Sequence, residues 1–205
     1  MARFFLIPVF FLFLLSSSIP AAYAGAPTDQ VRQTVDKVID VLKNKELKKS
    51  ENEKKRRAEI RKVVSERFDF EEMAKRALAL HWKKRTPEER KEFVQLFTDL
   101  LEKAYIRKIE KYTDEKVLYP GEKIQGDYGV VDTRVVSKQS VETPIQYRVL
   151  KENGTWMVYD VVIEGVSLVN NYRNQFNRIV RENSYEELVR KLKSKEAEDL
   201  IKEKK

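Results

Sequence analysis

The stretch Tyr147-Arg148-Val149-Leu150-Lys151-Glu152-Asn153-Gly154-Thr155-Trp156-Met157-Val158-Tyr159-Asp160-Val161-Val162-Ile163-Glu164 decides the fold. Apolar residues alternate on either side of Asn153-Gly154, the dipeptide that best fits the two left-handed positions of a tight hairpin turn. The spacing predicts paired strands at Thr143–Leu150 and Thr155–Glu164. In the second strand Trp156, Val158 and Val162 alternate with Met157, Tyr159, Val161 and Ile163, so both sides are apolar. A sheet bare on one face would carry polar residues there. This one is expected to be covered on both faces, or curled around something apolar. Only Asp160 interrupts the run. A carboxylate there is costly unless paired, which predicts a basic side chain or a helix N-terminus beside it.

Working outward, the period of two extends back through Lys116–Ile124 and Tyr128–Ser137, joined at Gly126-Asp127. No helix intervenes among these runs, so they form an antiparallel meander of about four strands. Before residue 116 the period is helical. Val31, Val35, Val38, Ile39 and Leu42 share one face over Thr28–Asn44, and a highly charged helix is expected over Glu51–Glu66. Asp69 reads as an N-cap. Thr86-Pro87-Glu88-Glu89 carries a cap, a first-turn proline and a capping box, and the helix it opens is expected to reach about Tyr112. After Gly165 the chain returns to helix, with Ser167 at its start, and Ser184 with Glu187 opens another. The fold class is α+β.

Composition narrows the chemistry. The 205 residues contain no cysteine and one histidine, His81. That removes disulfides, thiol nucleophiles and Cys-based zinc sites, and leaves little for a His-containing triad. Ser167 is no nucleophile elbow, because Val169 stands where the second glycine must be. His81 reads as a helix C-terminal residue. No glycine-rich phosphate loop or metal-ligand spacing is present. The reading is therefore of a protein with no catalytic residues, no metal and no cofactor.

Residues 1–24 read as a signal peptide: Arg3, an apolar run from Phe4 to Leu15, and the small-x-small site Ala22-Tyr23-Ala24. A run of twelve residues is short of the roughly 20 that span a bilayer. Cleavage after Ala24 would leave residues 25–205 as a single domain in the periplasm, with a frayed basic and acidic tail from about residue 195. The net charge is +8. Outside the cytoplasm this favours partner proteins and membrane head groups over nucleic acid. The run Lys43–Arg67, with eleven basic and five acidic residues, reads either as a solvated helix face or as a surface for docking or transient membrane contact.

The segment from Trp156 through Asp160, Gly165-Val166-Ser167-Leu168-Val169-Asn170-Asn171-Tyr172 and Arg173-Asn174-Gln175-Phe176 closely resembles the C-terminal signature of MlaC-type periplasmic phospholipid-binding proteins, the toluene tolerance family. Ala77-Leu78-Ala79-Leu80-His81-Trp82, Thr86-Pro87-Glu88-Glu89-Arg90, Phe93, Leu100-Leu101 and Tyr105 are similar to its central helices. The likeness covers about residues 28–195. Ala79-Leu80 departs from a common Leu-Gly pair.

The resemblance implies a curved antiparallel sheet wrapped by helices, a cone like that of nuclear transport factors, with an interior apolar pocket. It implies a soluble carrier that holds phospholipid acyl chains as cargo. The partners implied are an outer-membrane lipoprotein complex and an inner-membrane ABC transporter complex bearing an MCE-domain protein, with the carrier shuttling between them. Another envelope lipid such as a hopanoid, another apolar solute, or an enzyme on the same fold are the alternatives. The expected lining comes from the long helix (Phe93, Leu96, Phe97, Leu100, Tyr105), the inner sheet face (Val131, Tyr147, Val149, Trp156, Val158, Val161, Ile163) and the segment after Gly165 (Val166, Val169, Tyr172). Sequence does not separate pocket from solid core among these residues.

Overall fold

The computed structural model describes residues 26–112, 114–194 and 196–202. The signal-peptide reading of residues 1–24 lies outside them. Helix α1 spans Pro27–Lys43, α2 Glu53–Ser65 and α3 Phe70–Leu78. Helix α4, Pro87–Glu110, begins where its sequence demands. The Thr86 hydroxyl accepts from the Glu89 amide at 3.2 Å, and the Thr86 amide donates to the Glu89 carboxylate at 2.8 Å, a closed capping box. Asp69 caps α3 by accepting from the Glu72 amide.

Strands β1 (Lys116–Gln125), β2 (Tyr128–Val136), β3 (Glu142–Glu152) and β4 (Thr155–Ile163) form the antiparallel meander in chain order. Asn153 and Gly154 both take positive φ, 48° and 82°, as the tight turn requires. A two-residue strand β5, Val166–Ser167, pairs with β4 and adds a fifth strand to the sheet. It is too short to carry a period-two signal. The sheet is curved and unclosed. Gly129 leaves room for the Val149 side chain on the concave side, where an added Cβ would lie 2.9 Å from Val149 Cγ2.

The far edge of β4 is covered. Besides β5, the backbone at Phe68 forms a parallel bridge to Val158, with the Asp69 amide donating to the Val158 carbonyl at 2.9 Å. Helix α3 and helix α5 (Leu168–Glu182) pack along this strand. That is why β4 is apolar on both sides. The cover does not extend over the whole sheet: Leu118, Ile124 and Tyr128 on β1 and β2 are exposed. Asp160 has both partners its position requires. It accepts from Ser167 Oγ at 2.6 Å, from the Val169 amide in the first turn of α5 at 3.1 Å, and from Arg148 Nη1 at 3.2 Å.

Helix α6 spans Tyr185–Lys193 and α7 spans Ala197–Lys202. The expectation of a frayed tail therefore gives way over residues 196–202. Ala197 and Leu200 are buried against the main core, and Ile201 packs beside them. Their spacing of three and four residues makes one apolar stripe, concealed in the sequence by the Lys and Glu around it. Among the described residues no helix is long and apolar enough to cross a membrane.

Candidate functional site

Two apolar faces of α4, roughly 140° apart at 100° per residue, meet different surroundings. Phe93, Phe97 and Leu100 join Tyr172 and Phe176 of α5 in a closed core. Its rings meet edge-to-face, Phe97 with Tyr172 at 5.5 Å and Phe93 with Phe176 at 5.7 Å, a favoured aromatic geometry. The other face carries Thr98, Leu101, Glu102, Tyr105, Ile106 and Ile109, and it borders a cavity of about 240 Å³.

The opposite wall is the concave sheet. Ile145 pairs with Ile163, and Tyr147 with Val161, across β3 and β4, so four side chains two residues apart form an apolar array on one face. Phe68, Phe70, Met73 and Leu168 complete that side, and Ile60 and Val64 contribute from α2. Burial pushes the Tyr147 hydroxyl up to about 12, so it stays protonated and neutral at physiological pH.

The polar lining comes from the two helices: Arg57 and Arg61, one turn apart on α2, and Thr98 and Glu102, one turn apart on α4. Thr98 is satisfied by its own helix, donating to the Val94 carbonyl at 2.8 Å. Long side chains link α2 to α4. Arg56 and Arg57 both fork onto Glu110, with Nη2 atoms 2.8 Å from its two oxygens. Arg57 also reaches Glu53 at 2.6 Å. Arg61 pairs with Glu102 and lies 3.6 Å from Asp99. The Arg57 hydrogen bond, then that of Arg56, holds the Glu110 carboxyl below its ordinary 4.5, against the opposing effect of burial.

Of the residues expected to line a pocket, Tyr105, Tyr147, Val161 and Ile163 lie on the cavity wall. Val131, Val149, Trp156 and Val158 belong to the concave-face cluster beside it. Phe93, Phe97, Leu100, Val169 and Tyr172 sit in the closed core, with Leu96 packed on it. Val166 is 52% exposed. Residues not anticipated include Ile60, Val64, Phe70, Met73, Leu101, Ile106 and Ile109, and the polar set Arg57, Arg61, Thr98 and Glu102. A signal for part of them exists: Thr98 and Glu102 break an apolar helix face at the spacing of one turn. His81, half-buried, holds Asn177 Oδ1 at 3.0 Å.

A curved sheet closed over by helices, with an apolar cavity between them, defines a class of domain able to enclose an apolar ligand. A family model described as MlaC protein matches residues 32–194. The chain belongs to the MlaC family. It is 23% identical over 181 residues to the intermembrane phospholipid transport system binding protein MlaC of Haemophilus influenzae, covering 86% of this chain and 85% of that protein. It is 24% identical over 163 residues to toluene tolerance protein ttg2D of Pseudomonas putida, covering 78% and 75%. A solved phospholipid-binding protein from Ralstonia solanacearum, in complex with a phospholipid, superposes with a TM-score of 0.77 at 25% identity, over 87% of this chain and 99% of that one.

Proposed function

We propose that the protein is a periplasmic phospholipid carrier, with acyl chains enclosed between α2, α4 and the concave sheet. The observation that carries the reading is the apolar cavity, set in a fold whose solved relative holds a phospholipid. A carrier needs such a cavity for energetic reasons. Roughly 30 chain methylenes at about 0.8 kcal/mol each make free passage through water cost on the order of 20 kcal/mol. An apolar interior and a bilayer both remove that cost, so exchange between them is nearly balanced. Docking can then tip it.

The cavity of about 240 Å³ is below the roughly 300–1,000 Å³ usual for small-ligand pockets. Two chains require it to widen. The α2–α4 side supports this, because ion-pair side chains connect those helices there. The protein then shuttles phospholipid between an outer-membrane lipoprotein complex and an inner-membrane MCE-domain ABC transporter complex. It makes transient contact with membrane surfaces and performs no chemistry on its cargo.

The test is capture of radiolabelled phospholipid from vesicles by lipid-stripped protein. The wild type should recover label in a soluble complex. Val161→Glu, which places a carboxylate in the apolar array, should recover none while still melting cooperatively. Equal capture by this variant would move the chains out of this cavity.

A further inference from the structure

Burial of acyl chains calls for no cation, yet two guanidinium groups line this cavity. They differ in how firmly they are held. Arg57 is fixed, with Nε and Nη2 on the two oxygens of Glu110 at 3.1 and 2.8 Å and Nη2 also on Glu53. Arg61 is half exposed and holds Glu102 across the gap between α2 and α4, with Asp99 further off at 3.6 Å. Its half-exposed guanidinium is weakly held, because solvent screens the pair, whereas Glu102 is the more buried partner at 23% exposure.

We propose that Arg61 takes the phosphodiester of the bound lipid, exchanging Glu102 for the phosphate when the cavity is loaded. This rests on the carrier reading above. The guanidinium fork matches two phosphate oxygens better than an ammonium does. The sheet lies opposite, so a lipid held at Arg61 points its chains toward Ile145, Tyr147, Val161 and Ile163. Arg57, one turn away, stays with Glu110 and Glu53, which neutralise it. Every diacyl phospholipid carries this phosphate, whatever its head group. The site therefore selects phospholipids as a class over phosphate-free lipids, and discriminates little among head groups. Glu102 competes with the phosphate for the same guanidinium.

The experiment uses lipid-stripped protein and vesicles of dioleoylphosphatidylcholine doped with equal amounts of dioleoylphosphatidylglycerol and dioleoylglycerol. Lipid retained by the protein is extracted and quantified by mass spectrometry. The wild type should favour both phospholipids over the diacylglycerol by about tenfold, equivalent to about 1.4 kcal/mol. Arg61→Gln should bring the ratio near one through loss of phospholipid retention, with cooperative melting preserved. Arg61→Lys should fall between them, and Glu102→Gln should raise phospholipid retention. A wild-type ratio in Arg61→Gln would overturn the assignment, as would loss of phospholipid in Glu102→Gln. If the wild type retains neither phospholipid nor diacylglycerol, the carrier reading itself fails, and this inference with it.

Discussion

Replacing Asp160 with alanine removes the junction between β3, β4 and the start of α5. The carboxylate is 3% exposed. It accepts from Ser167 Oγ at 2.6 Å and from the Val169 amide at 3.1 Å, both in the buried interior. Hydrogen bonds to charged groups contribute about 1.5–3 kcal/mol each, so these two together contribute roughly 3–6 kcal/mol. Arg148 is more than a third exposed, and its pairing adds little after solvent screening. For a domain of this size each kcal/mol moves the melting midpoint by about 2–4 °C. Asp160→Ala should therefore melt roughly 6–24 °C below the wild type. Asp160→Asn keeps the shape and one acceptor, and should lose about half as much. Equilibrium urea unfolding, with an unchanged slope, measures both. A loss below about 1 kcal/mol for Asp160→Ala would refute the reasoning, since two buried donors cannot be stranded that cheaply.

Three other perturbations follow from the same structure. Ala79 ends α3 at φ 50°, ψ −120°, a conformation that costs a side-chain-bearing residue about 1–3 kcal/mol; Ala79→Gly should raise the thermal midpoint by a few degrees, and a lower midpoint would contradict the strain. Deleting residues 196–205 removes buried Ala197 and Leu200, so the midpoint should fall by an amount matching about 1.5–3 kcal/mol for a buried leucine, as read by calorimetry. Glu110, its carboxyl held below the ordinary 4.5 chiefly by Arg57, contributes stability that is present above 4.5 and lost as pH falls through its lowered folded value; the stability gap between wild type and Glu110→Gln should be full at neutral pH and close in acid, and a gap independent of pH would show that the ion pairs do not act.

The elements were legible where local chemistry dictates them. Thr86 with Glu89 could only open a helix, and Asn153-Gly154 between alternating strands could only turn one. Asp160 declared its need for partners by standing in an apolar run. The resemblance of the Trp156–Phe176 segment to the MlaC signature carried the family. What stayed hidden depends on contacts distant in sequence. Helix α4 is apolar over two faces, and apart from Thr98 and Glu102 nothing along the chain says which face meets α5 and which borders the cavity. Phe93, Phe97 and Leu100 are as apolar as Leu101, Ile106 and Ile109, yet only the second group lines the cavity. The basic run Lys43–Arg67 divides in the same way. Lys54, Lys55 and Lys62 are exposed, whereas Arg56, Arg57 and Arg61 reach across to the acids of α4. A charge reversal meant to test surface docking should therefore use the lysines and spare the arginines.

The central claim is that this cavity holds the chains of a phospholipid. Its most direct test is native mass spectrometry of the full chain, purified from its expression host without detergent. The account predicts added masses of several phospholipids, in proportions near those of the host membrane, and their loss in Val161→Glu. A wild-type protein that arrives lipid-free and extracts nothing from labelled vesicles would contradict it.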